Sequence, residues 1–289
     1  MDKEYLEIIK QENSWFWDIE QEYNLVVTDD LDSILSALLL MQYRPKWHIA
    51  YYFNFQEGIY EKSLDADINN KAERIGIDMS SPGGEGSVCK KCISNHVTAL
   101  QSDERINKND INLNYVNKFI CLRNYHSKYN LNTLCLVYSL LGLQPKTDEE
   151  CALLLLPDSA FQAHYAKAEY KDSGVQKQIL EKMDLMELYD FMDRYDKDKF
   201  YKAQDALRIK SKFYVDDFEI KSSQDINMDY MCGVLGINSR LLQELQGLFF
   251  MDQRHKSYTD LTSKSYDKSK FSTFVVTSKN YVKFSKLED

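Results

Sequence analysis

Apolar runs of strand length alternate with helix-length periodic segments through the first half of the chain. Residues 3–20 carry Tyr5, Ile8, Ile9, Trp15 and Trp17 on an apolar, aromatic side and predict a helix. NLVVT at 24–28 is a short β-branched run that suits a buried strand, and after the acidic turn DDLDS the run 34–41 reads as a helix. HIAYYFNF at 48–55 and ERIGID at 73–78 predict two further strands, and 93–97 a short one. SPGGEG at 81–86 is the clearest loop. Residues 129–143 read as a buried helix, 152–156 as either a helix end or a strand, and 160–208 as helical. The runs 272–277 and 281–284 flank Ser278-Lys-Asn280 and predict a hairpin. The resulting fold class is α/β. A mostly parallel sheet flanked by helices is expected over residues 1–170. A helical linker over 171–211 and a smaller C-terminal α+β domain over 212–289 follow.

Acids follow three of the apolar runs at once: Asp29, Asp30 and Asp32 after the first, Asp78 after the third, and Asp158 after 152–156. In an α/β sheet, parallel strands present their C-terminal ends on one edge, and ligands collect there. Carboxylates converging on such an edge repel one another, and a divalent cation removes the conflict. Hard oxygen ligands accompanied by a histidine suit Mn or Mg. The plainer readings are an N-cap for Asp30 or Asp32, a loop residue for Asp78 and another N-cap for Asp158. His96 is the histidine most suited to such a centre, with a hydrogen-bonded core histidine as its plainer role.

Charge narrows the partners. The net charge of −9 disfavours a protein that grips long nucleic acid by its phosphates. It permits a small phosphorylated substrate, a basic protein partner or a homo-oligomer. No stretch reaches the roughly 18 apolar residues of a membrane helix, and the charged N-terminus lacks a signal-peptide core. The six scattered cysteines then read as reduced thiols of a cytoplasmic protein. Cys89 and Cys92 have zinc-knuckle spacing, but two thiols on a turn are the simpler reading because no fourth ligand is evident. Lys202, Arg208, Lys210 and Lys212 read as a solvated face. Asn107, Asn109, Asn112 and Asn114 either shape turns or line a polar pocket.

The order of the acidic motifs resembles that of DHH-type phosphoesterases over about residues 22–160. The strand ending in Asp30-Leu-Asp32-Ser33 resembles the family's first motif, and Ile75-Gly-Ile-Asp78 the second. Ser94-Asn95-His96 resembles the third, the Asp-His-His of the family name, and Asp158 is the candidate for the fourth. The resemblance implies Asp30, Asp32, Asp78 and Asp158 as metal ligands, His96 in contact with the scissile phosphate or a metal, Asn95 as a second candidate catalytic residue that can hydrogen-bond but ligates metal poorly, and one or two Mn (or Mg) ions. It also implies a small nucleotide or phosphorylated substrate. Three departures run the other way. Ser94 stands where the family has a bridging acid, the leading histidine of the first motif is missing, and no Gly-rich, His-containing motif follows residue 212. They keep open a relative that has lost catalysis and serves as a nucleotide-signal binder or as an inhibitor in conflict between phages and bacteria. Asp30-Leu-Asp32 is also the Asp-x-Asp of haloacid-dehalogenase-like phosphatases, whose accompanying lysine and acid pair are not identifiable in the sequence.

Overall fold

A computed structural model describes residues 1–63, 71–116, 118–166 and 172–288. The N-terminal segment is a helix, α1 (Lys3–Glu12), followed by a 3-10 turn (Ser14–Trp17), rather than one helix to residue 20. Asn13 ends α1, and its Oδ1 accepts the Trp15 indole N–H at 3.1 Å, which holds the chain in the tighter turn. Trp15 and Phe16 then pack on Trp47 with ring centres 6.3 and 5.9 Å away. Tyr23 and Trp47 begin two neighbouring strands, so this aromatic cluster closes the N-terminal end of the sheet.

The sheet starts with β1 (Tyr23–Val27), crosses through helix α2 (Leu31–Tyr43) and returns as β2 (Trp47–Asn54) parallel to it. All five residues of β1 are buried, as expected of a strand covered on both faces. α2 is buried along nearly its whole length, which explains why its sequence is apolar on every side. β3 (Gly58–Lys62) pairs antiparallel with β2. On the other side of β1 lie β4 (Glu73–Ile77), β5 (Lys91–Ile93) and β6 (Asp110–Ile111), all parallel. Helices α3 (Thr133–Leu140) and α4 (Asp148–Leu155) follow, then α5 (Asp172–Met183), α6 (Met186–Arg194) and α7 (Lys197–Ala206).

Beyond them, β7 (Phe213–Asp216) and β8 (Glu219–Ser222) form a separate hairpin. Its two turn residues, Asp217 and Phe218, are both left-handed, the geometry of a tight two-residue turn. After α8 (Met228–Val234), strands β9 (Phe249–Leu261), β10 (Thr273–Val276) and β11 (Tyr281–Leu287) extend the main sheet through the β3–β9 pairing. The C-terminal segment thus contributes three strands to the same nine-stranded sheet, in the order β10-β11-β9-β3-β2-β1-β4-β5-β6.

The fold is α/β, and the sheet is mixed rather than mostly parallel. Five strands run parallel, and β3, β9, β11 and β10 add antiparallel pairings at one edge. The hairpin expected near residue 280 is β10–β11. The sheet curls until β10 meets loops from its far half. Phe274 N–H bonds to Ser80 O at 3.1 Å, and Val276 N–H to Val97 O at 2.7 Å. Phe271, Phe274 and Phe284 stack at this seam. No helix among the described residues is long and apolar enough to cross a membrane.

One segment departs from the pattern read in the sequence, and one that reads two ways is settled. The strand expected over 93–97 stops at Ile93, because Asn112 and Asn114 bond the main-chain oxygens of His96 and Asn95 at 2.7 and 2.9 Å and hold those residues as a loop. Of the two readings of residues 152–156, the helix end holds: they close α4, which Thr147 caps, so Asp158 follows a helix.

Candidate functional site

The parallel strands run in the order β2-β1-β4-β5-β6, so β1 and β4 are neighbours whose connections leave in opposite directions along the sheet. Ligands in open α/β sheets bind beyond the strand C-termini at such a switch point. Asp29, Asp30 and Asp32 lie just past β1, and Asp78 just past β4. Ser33 fastens the two strand ends together: its Oγ accepts from Thr28 N–H and donates to Ile77 O, each at 2.8 Å.

Each acid is placed by a different device. Asp30 is the N-cap of α2, with Oδ1 accepting from Ser33 N–H at 3.2 Å. Asp32, 1% exposed, caps a different helix: its two oxygens accept from Thr133 and Leu134 N–H of α3, both at 2.8 Å. Asp78 is also buried and takes a left-handed backbone conformation (φ 55°), and its Oδ1 accepts from the Thr133 hydroxyl at 2.7 Å. Asp158 and Ser159 are left-handed too, at 53° and 54°. Consecutive strained residues persist only where the surroundings over-determine them. Here Asn132 does so, donating through Nδ2 to Leu154 O and Pro157 O at 2.7 and 3.1 Å.

Asp32, Asp78 and Asp158 therefore meet, each offering an oxygen within 4.8 Å of the others. This is the one group of potential metal ligands among the described residues. Asp30, expected as a fourth ligand, stands beside the trio. Its Oδ2 lies 3.3 Å from the ammonium of Lys212, which also pairs with Asp29 Oδ1 at 3.1 Å. His96 lies against the trio, with Nε2 3.2 Å from Asp78 O and 3.6 Å from Asp78 Oδ1. Asn95 donates to Leu131 O at 3.1 Å and to Asp158 Oδ2 at 3.4 Å, while its own buried Oδ1 has no partner.

The electrostatics follow from this crowding. Burial, then the neighbouring carboxylates, raises Asp32 and Asp78 well above the ordinary carboxylate range. Asp158 sits exposed at the rim, yet the protein packed round its carboxyl, with Asp30 nearby, pushes it up to about 6. Burial lowers the His96 pKa, which favours the neutral ring. With Nε2–H donated to Asp78 O, its Nδ1 is left as the proton acceptor.

Two clefts open onto this centre. One, of about 490 Å³, is lined by Asp30, Asp78, His96, Asp158, Lys212 and Lys283 among others. The other, of about 420 Å³, is lined by Asn95, His96, Lys128, Tyr129, Asp158 and Gln162 among others. His96 and Asp158 line both.

The donor set fits a hard divalent cation: three carboxylates, two of them buried, with no lysine or arginine of the described residues in ion-pair contact with them. The fit has a limit, since Asp32 already accepts two backbone N–H bonds and keeps only its remaining lone pairs for a metal.

Ser94 turns away from the clefts. Its Oγ lies 2.7 Å from Ser80 Oγ, donates to Asp110 at 3.0 Å, and accepts from Asn112 at 3.0 Å. The asparagine cluster thus shapes the 94–96 loop from behind. Cys89 and Cys92 are buried free thiols, both pushed upward by burial, and do not form a metal group. Lys212 precedes β7 rather than lying on a helix; its side chain is exposed, as the solvated-face reading has it, and its ammonium also reaches the acids. Nothing in the local sequence signals that position, because Lys212 pairs across more than 180 residues. Comparison with known proteins finds no matching family model, no similar curated protein and no similar solved structure.

Proposed function

We propose that this chain is a metal-dependent phosphoesterase of DHH-like design acting on a small phosphorylated or nucleotide substrate. The observation that carries the reading is the meeting of Asp32, Asp78 and Asp158 at the switch point of the parallel sheet, with His96 beside them. Bound between those carboxylates, a Mn or Mg ion would supply a water activated at neutral pH and a counter-charge for the phosphoryl group. The chain's own groups divide the remaining work. Neutral His96 stands ready to take a proton at Nδ1. Lys128 and Lys212, one in each cleft, offer positive charge to flanking phosphates.

The test is release of nitrophenol from bis(p-nitrophenyl) phosphate with Mn. Turnover by the wild type and its loss in Asp32→Ala support the reading. Equal rates in both, or none with Mn or Mg, refute it.

A second reading is favoured by Ser94. The position that carries a bridging acid in the resembled motif points into the interior and bonds Asp110. A scaffold that has given up that ligand is suited to binding a nucleotide signal without turnover. A thermal shift with cyclic dinucleotides in the absence of metal, without hydrolysis, would select it.

A further inference from the structure

The acids gathered at the ends of β1 and β4, with Asp158 from beyond α4, form two halves with different counter-charges. Asp32, Asp78 and Asp158 face one another with no lysine or arginine of the described residues in ion-pair contact, although Lys212 and Lys128 act on Asp158 from further off, whereas Asp29 and Asp30 share the ammonium of Lys212 at 3.1 and 3.3 Å. Lys212 is held there by its backbone. Its N–H bonds Ser223 Oγ at 2.9 Å, and the next N–H, of Phe213, bonds Asp29 O at 2.9 Å. Phe213 O in turn accepts the buried Tyr52 hydroxyl at 2.6 Å. The chain on both sides of Lys212 is thereby fixed against the turn that carries the two aspartates. The Lys212 side chain is 55% exposed, so it is this anchoring of the backbone on both sides, together with two carboxylate partners, that keeps its ammonium over the acidic turn; exposed ion pairs without such anchoring contribute little.

Asp30 is close enough to the trio to raise each of its members electrostatically. A second divalent ion at Asp29 and Asp30 would occupy the place the ammonium holds. We propose that Lys212 is a built-in cation that substitutes for a second metal ion, so that this chain works with one ion, at Asp32, Asp78 and Asp158. The inference rests on the metal-dependent reading above. It explains why Asp30, a ligand by sequence pattern, stands outside the trio, and why loss of the acid at Ser94 is compatible with an intact centre. A one-ion site has no need of a bridging carboxylate.

The test is Mn stoichiometry by calorimetry, with the spin-resonance spectrum of the bound ion, on the full chain. The wild type is expected to bind one Mn and to give an uncoupled, mononuclear spectrum. Lys212→Met keeps the aliphatic stem and removes the charge; it is expected to bind a second Mn and to show the exchange-coupled signature of a pair. Lys212→Arg, which restores a cation, is expected to return to one. Two ions in the wild type overturn the inference while leaving metal dependence standing. One ion in both wild type and Lys212→Met, with Lys212→Met folded by circular dichroism, overturns it equally. No bound ion in any of the three removes the inference together with the reading beneath it.

Discussion

Two acidic regions lie within a few strands of each other and have been resolved in opposite ways. At β6, the buried Asp110 is alone, and its oxygens accept from Ser80, Ser94 and Asn112 at 3.0–3.3 Å. At the ends of β1 and β4, Asp32, Asp78 and Asp158 face one another. Their carboxyl groups accept hydrogen bonds from the first turn of α3 and from Asn95. Hydrogen-bond donors suffice for one buried carboxyl, whose pKa still rises to about 6 through burial. They do not suffice for three, because no donor removes the repulsion between neighbours. The first region is structural and complete in itself. The second is left with a deficit that, on the proposed reading, a cation would fill.

The widest separation between the regions is expected in catalysis. His96→Gln should lower Mn-dependent turnover by about 10²- to 10⁴-fold, the usual worth of a positioned acid–base group. Asp110→Asn should stay within a few-fold, as steady-state assays of both variants will show. Metal affinity should divide the same way. Altering a residue behind a ligand costs about 10- to 100-fold in affinity, so Asp78→Asn, which alters a ligand itself, should lose at least about 100-fold by calorimetry. Ser94→Ala should leave the affinity within a few-fold.

Stability against pH sharpens the contrast. An acid that titrates higher folded than unfolded takes up protons on folding, so stability falls as pH climbs from its unfolded value through its folded one. Asp110 rises from 3.8 to about 6, so between those values it should cost about 3 kcal/mol, at about 1.4 kcal/mol per unit. The metal-free protein should therefore be more stable to urea near pH 4.5 than at pH 7. Asp110→Asn removes that share with or without metal. Saturating Mn should remove only the share due to the trio. The smallest effect belongs to Ser94→Ala, which deletes one buried hydroxyl from the Asp110 network and should cost about 1–2 kcal/mol in urea unfolding.

The sequence carried the centre of this site better than its frame. The apolar runs before Asp30 and Asp78 are buried parallel strands, and buried strands advertise themselves by composition. Asp158 was legible as an acid after a leucine run, but that run is the end of α4. Its approach to the trio depends on Asn132 and on two left-handed residues that no periodicity reveals. β9 was missed because only Phe249 and His255 are buried along its thirteen residues, so its sequence reads as polar. Lys212 and Asp110 were missed for another reason. Their partners lie on distant elements, and a single lysine or aspartate looks the same in sequence whether it faces water or an interior charge.

Diffraction at the Mn absorption edge from crystals grown with Mn addresses the meeting of the three carboxylates directly. A single anomalous peak within about 2.0–2.6 Å of oxygens from Asp32, Asp78 and Asp158 is expected, the range of hard-cation oxygen bonds. A map without a peak there, or with its peak between Asp29 and Asp30 and Lys212 displaced, would contradict it.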